Sequence, residues 1–156
     1  MSEFKKAGHN AVGIVCHVGK PEDRTNLINK TVEKLGKIDY IVANAAVSTH
    51  MGSLFDIDEN QLKKMWEINY FSTFFLIQEA LPHLKKQPNS SIVLISSYTA
   101  FDVSTVIGHY SVTKTAMLGL TKALAKALFD DKIRVNVVCP GLIKTNFSGV
   151  LWKDNE

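Results

Sequence analysis

Residues 91–141 read SIVLISSYTAFDVSTVIGHYSVTKTAMLGLTKALAKALFDDKIRVNVVCPG. The segment opens with a short run rich in Ile and Val, residues 91–97, of the length and composition of a buried strand. Residues 110–129 follow as a long helical pattern that is apolar over most of its surface, which marks a buried helix. Residues 133–139 form a second β-branched run, ended by Pro140-Gly141. A strand, a long helix and a second strand imply parallel pairing through a right-handed crossover.

The same alternation extends toward the N-terminus. Residues 2–8 resemble the tail of a helix stopped by Gly8, and residues 11–18 read as a strand. Pro21 opens a helix whose stripe is Leu27, Ile28, Val32 and Leu35, with Gly36 as its stop. Residues 39–46 form another strand, ending in Asn44-Ala45-Ala46. A short helical stretch begins near Asp58, and residues 62–86 make a long apolar helix that Pro82 should kink. Residues 142–156 show no clear element. The order predicts an α/β fold, with a parallel sheet of four strands and helices on both faces.

Composition removes several function classes. The chain has 156 residues, 46% hydrophobic and 21% charged, which suits a single globular domain over 1–156. A net charge of +3 and scattered lysine pairs, without interleaved aromatics, do not describe a nucleic-acid surface. The five histidines lack ligand spacing, so no metal site is expected. Cys16 and Cys139 lie in apolar runs and read as buried free thiols. No apolar stretch is long enough to span a membrane, and the N-terminus lacks the apolar core of a signal peptide. A soluble intracellular protein is expected.

Tyr110 and Lys114 are one helical turn apart and share a face. A tyrosine exchanges protons near neutral pH only when its phenolate is stabilised, and an adjacent ammonium does that. Ser97, Asn44 and Pro140-Gly141 all fall at carboxyl ends of strands, where open α/β sheets bind ligands. A serine there can hydrogen-bond a carbonyl oxygen beside the tyrosine. Ser97, Asp102 and His109 do not make a hydrolase triad, because no Gly-x-Ser-x-Gly elbow surrounds Ser97.

Asn44-Ala45-Ala46, Ile68-Asn69, Ser96-Ser97, Tyr110-Ser111-Val112-Thr113-Lys114 and Pro140-Gly141-Leu142-Ile143-Lys144-Thr145 together resemble the motifs of the short-chain dehydrogenase/reductase family. Within it, residues 16–20, Pro140 to Thr145 and Phe147-Ser148 are most similar to an NADP-dependent carbonyl and retinal reductase branch with peroxisomal members. The resemblance implies a Rossmann-type doubly wound sheet, of which this chain holds strands three to six. It implies that Tyr110 is the general acid and that Lys114 lowers the tyrosine pKa and holds the nicotinamide ribose hydroxyls. Ser97 would orient the substrate carbonyl, and Asn69 would support a relay water near Lys114. Asn44 and Ala45 would line the cofactor cleft, and Val18 would pack near the adenine. Pro140, Gly141, Ile143 and Thr145 would meet the nicotinamide. The cofactor would be NADP(H) in preference to NAD(H), the substrate a small carbonyl or alcohol, the assembly a homo-oligomer, and the compartment cytoplasmic or peroxisomal.

The resemblance also implies an incomplete domain. No glycine-rich turn opens a helix to seat a pyrophosphate, and the reading begins in the helix before strand three. In the family's strand order 3-2-1-4-5-6, strands two and one separate strand three from strand four. At about 4.8 Å per strand, residues 11–18 would lie roughly 14 Å from the nearest partner. The chain alone is therefore expected to be poorly stable and to bind cofactor weakly. A non-catalytic dimerisation module built on the two long apolar helices is the alternative.

Overall fold

The computed structural model describes Phe4, residues 6–149 and Trp152. Three strands form one parallel sheet: β1 (Tyr40–Ala43), β2 (Ser91–Ile95) and β3 (Arg134–Val138), in that spatial order. Tyr40 pairs with Ser91 and Ser91 with Arg134, so the three strands start level. Helix α1 (Pro21–Leu35) precedes β1. Helix α2 (Glu59–Trp66), a π-helical segment (Glu67–Phe71) and α3 (Ser72–Leu84) run on between β1 and β2. Helix α4 (Gly108–Ala127) joins β2 to β3.

Local chemistry explains these limits. Pro21 sits in the first turn of α1 with Glu22 and Asp23, where acidic side chains favour the helix dipole. Gly36, at φ 83°, ends it by returning its N–H to the Val32 carbonyl at 2.8 Å. Helix α2 opens with a capping box between Asp58 and Gln61. The long helix expected over 62–86 thus starts earlier and runs through Pro82 to Leu84. Its irregularity is the π segment around Asn69. The helix expected over 110–129 spans Gly108–Ala127.

Ile41, Ile92, Leu94 and Val135 project from one face of the sheet. Ile77, Ala80 and Leu84 of α3, Met117 and Leu120 of α4, and Ile28 of α1 pack against them as one core. The opposite face carries Tyr40, Val42 and Val138, which are 64%, 62% and 49% exposed. The expected cover on both faces is therefore seen on one. The reason is topological: β1, β2 and β3 step in a single direction, and right-handed crossovers then place every connecting helix on the same side. Covering the second face requires the strand order to reverse.

Residues 11–18 are not a strand. Among the described residues no strand hydrogen-bonds to them, and Val15 is 96% exposed. β-branched composition favours an extended chain, but a strand exists only when a neighbour takes its N–H and C=O groups. The segment is held instead by polar contacts. The His17 N–H donates to Asp23 Oδ2 at 2.8 Å, and Arg24 Nη1 donates to the Val18 carbonyl at 2.8 Å. Arg24 also pairs with Glu79 of α3 at 2.8 Å, which ties α1 to the core. Cys16 and Cys139 are free thiols as expected, but both are half-buried, since neither lies inside a strand.

Candidate active site

The carboxyl ends of β1, β2 and β3 open onto a cavity of about 460 Å³. Each wall comes from a segment that leaves a strand. Asn44 and Ala45 follow β1, Ser97 follows β2, and Pro140, Gly141, Ile143 and Thr145 follow β3. Tyr110 and Lys114 enter from the first turns of α4. The structure therefore gathers nine of the expected site residues on one cavity. Val18 and Asn69 are not on its wall.

Tyr110 is buried and its ring is in tilted contact with Phe147, the centroids 6.0 Å apart. Burial pushes its phenol above the ordinary value, and a hydrogen bond with the Ser97 side chain pulls it partly back. Lys114 is held below the Tyr110 ring, with Nζ 5.5 Å from the centroid. Its Nζ donates to the Ile95 carbonyl at 2.8 Å, the terminal residue of β2. The backbone carbonyl of Lys114 accepts from Ser96 Oγ at 2.7 Å, so the strand end and the helix are joined twice. Burial lowers the Lys114 ammonium from 10.5 to about 8, opposed by nearby Cys139. On Tyr110 desolvation is the larger effect and the Ser97 hydrogen bond the smaller.

Asn69 serves the site from behind. Its Oδ1 accepts from the Val47 N–H at 2.8 Å, and its Nδ2 donates to the Val47 carbonyl at 3.0 Å and to Thr113 Oγ1 at 2.9 Å. Thr113 in turn donates to the Tyr110 carbonyl at 2.8 Å. The asparagine so clamps the loop after β1 to the first turn of α4. The π segment widens the helix at this point and aims the side chain across to both.

Sequence reading missed Thr99, Ile107, Leu142, Phe147 and Ser148 as wall residues. Ser148 Oγ donates to the Ile143 carbonyl at 2.5 Å and accepts from the Thr145 N–H at 3.1 Å, folding the loop after β3 over the cavity. Only contact geometry shows this, since Ser148 belongs to no periodic pattern.

The lysine offers a test of whether a nicotinamide nucleotide suits the cavity. Its ammonium is nine-tenths buried or more and donates to one carbonyl, which leaves donors facing the cavity. Ribose hydroxyls are suitable acceptors for them. Gly141 has open space where a Cβ would stand, so the backbone there can approach a planar ring. The nicotinamide-ribose end fits. No glycine-rich phosphate turn exists in the sequence for the other end.

A family model described as enoyl-(acyl carrier protein) reductase, of the short-chain dehydrogenase type, matches residues 1–156. The chain is 45% identical over its full length to tropinone reductase-like 3 of Erythroxylum coca, covering 59% of that protein. It is 43% identical over 99% of its length to dehydrogenase/reductase SDR family member 4 of Bos taurus, covering 55%. The chain thus spans between half and two thirds of the relatives it matches. A crystal structure of a short-chain type dehydrogenase/reductase from Mycobacterium marinum superposes with a TM-score of 0.90 at 27% identity, over 97% of this chain and 61% of that one. A 3-ketoacyl-(acyl-carrier-protein) reductase from Brucella melitensis, solved with NADH, shares the fold at a TM-score of 0.90 and 23% identity, over 96% of this chain and 63% of that one. With the parallel sheet, the cavity at its carboxyl edge and a family model spanning every residue, this chain belongs to the short-chain dehydrogenase/reductase family.

Proposed function

We propose that the chain carries the catalytic half of an NAD(P)-dependent reductase that interconverts carbonyl and alcohol groups. The observation that supports it most is the convergence of Ser97, Tyr110 and Lys114 on one cavity at the carboxyl edge of the sheet. The curated relatives are named as dehydrogenases and reductases, and the resemblance of residues 16–20 and 140–145 to an NADP-dependent branch favours NADP(H) over NAD(H).

A bound nicotinamide supplies the hydride. The protein's part is position and protons. Ser97 donates a hydrogen bond to the substrate oxygen and holds the carbonyl beside Tyr110. Negative charge grows on that oxygen during reduction, and the Tyr110 O–H transfers its proton there. The resulting phenolate is stabilised by the Lys114 ammonium below the ring and, once the substrate oxygen has left, by the Ser97 hydroxyl. Lys114 is fixed by Ile95, and its remaining donors would hold the ribose hydroxyls of a bound nicotinamide nucleotide. Asn69 acts through Val47 and Thr113 by holding the cofactor-side loop against α4.

A fluorescence titration with NADPH, followed by a carbonyl screen on the wild type and Tyr110→Phe, tests this reading. Saturable binding with turnover lost in the phenylalanine variant supports it; a screen with no turnover in the wild type refutes it for this chain. A second reading, an interaction module and homo-oligomer contact, is favoured by Phe71 and Phe75 near the start of α3 and Val112 of α4. These side chains are exposed on the two long helices.

A further inference from the structure

Ser97 leaves β2 in an extended conformation, and the chain turns at once through the short 3-10 turn Tyr98–Ala100. The turn folds Thr99 back on Ser97. The Thr99 N–H donates to Ser97 Oγ at 3.2 Å, and the Thr99 hydroxyl donates to the same oxygen at 2.9 Å. A serine hydroxyl offers two lone pairs and one proton. Both lone pairs are taken by Thr99, which is 4% exposed and lies on the cavity wall. What Ser97 has left is its own proton.

We propose that Thr99 is a positioning residue that sets the polarity of the Ser97–Tyr110 pair, forcing Ser97 to donate its one proton, to the phenol oxygen in the resting site or to a substrate carbonyl when one is bound. Its functional meaning rests on the reductase reading above; the order of the hydrogen bonds does not. If a lone pair on Ser97 were open, the Tyr110 O–H would donate into it. The neutral phenol would be stabilised and its proton would point away from the substrate. With Thr99 in place that acceptor is closed. Lys114 on the same helix is a donor and Phe147 packs against the ring, while Cys139 stands near Lys114.

Thr99→Val removes the hydroxyl while keeping the shape and the backbone N–H that closes the turn. Thr99→Ser restores the donor. The titration of Tyr110 is followed by NMR in the full chain labelled on its tyrosine rings, with Tyr110→Phe identifying the signal. The midpoint is expected to rise by roughly half a pH unit to one unit in the valine variant, the worth of one redirected hydrogen bond, and to return to the wild-type value in the serine variant. With NADPH and a carbonyl substrate, kcat should fall roughly three- to tenfold in the valine variant at unchanged KM for cofactor. An unmoved midpoint, or a serine variant that behaves like valine, overturns the proposal. Should the valine variant fail to fold, Thr99→Ala is read by the same two outcomes. A midpoint shift without turnover in any form would refute the reductase reading alone, whereas turnover with no shift would refute the role of Thr99 alone.

Discussion

Lys114 is a charge the fold would be more stable without. Burial lowers its ammonium from 10.5 to about 8. At ~1.4 kcal/mol per unit, keeping it protonated in the folded chain at pH 7 costs roughly 3 kcal/mol. Lys114→Met keeps the length of the side chain and removes the charge. It also leaves the Ile95 carbonyl without its 2.8 Å donor, a loss of about 1 kcal/mol. The net expectation is a gain of about 2 kcal/mol at pH 7, measured by urea denaturation. The pH dependence identifies the cause. Because the folded value lies below the unfolded one, the unfolded chain binds more protons between about 8 and 10.5. Wild-type stability therefore rises with pH through that window, relative to the methionine variant. The variant's advantage should be constant below about 8 and gone by 10.5. A variant that is less stable than wild type at pH 7, or whose difference from it does not change with pH, would refute the reasoning. The expected gain, by contrast, would mark Lys114 as a residue kept at a cost in stability.

The remaining predictions concern the other parts of the site and the sheet. Tyr110→Phe should reduce turnover by roughly 10²-fold to 10⁴-fold, the usual worth of a general acid, with NADPH binding within a factor of about two of wild type by fluorescence. Asn69→Ala removes bonds to Val47 and Thr113 in a buried place and should lower stability by about 3 kcal/mol in denaturant titration. Val42 stands on the uncovered face of edge strand β1, so Val42→Lys should suppress concentration-dependent association in sedimentation velocity. Its stability should stay within about 0.5 kcal/mol of wild type.

The parallel sheet was legible because β2, α4 and β3 are each marked by strong local signals. Residues 91–95 and 134–138 are β-branched and short, and the helix between them is long and apolar. The same signal was misleading at residues 11–18. Composition there is as strand-like as in β1, yet a strand is a pairing and not a property of one segment. Whether Val15 pairs depends on a neighbour elsewhere in the chain, and among the described residues there is none. The π segment was hidden for a related reason. Pro82 is the visible breaker in that helix, but it lies two residues from the end at Leu84, so any bend there moves only the final residues. The π segment carries Asn69, whose side chain bonds Val47 and Thr113, both far from it in sequence.

At the site, the residues at strand ends could be found by order alone, because every strand of a parallel sheet delivers its C-terminus to the same edge. That is why Asn44, Ser97 and Pro140 meet although long helices separate them. The electrostatic balance could not be found so. A Tyr and a Lys one turn apart imply mutual stabilisation, but not how far each is taken out of water. Here the fold buries both side chains, and desolvation raises the phenol while lowering the ammonium. The two shifts reverse the order the groups have in water, where the lysine holds its proton more tightly, and leave the lysine below the tyrosine. An oxyanion formed beside the phenol would meet these costs together: it accepts from Ser97, draws the phenol proton, and gives the buried ammonium the negative partner it lacks. The same burial that destabilises the resting pair therefore makes the site respond most strongly when charge develops in it.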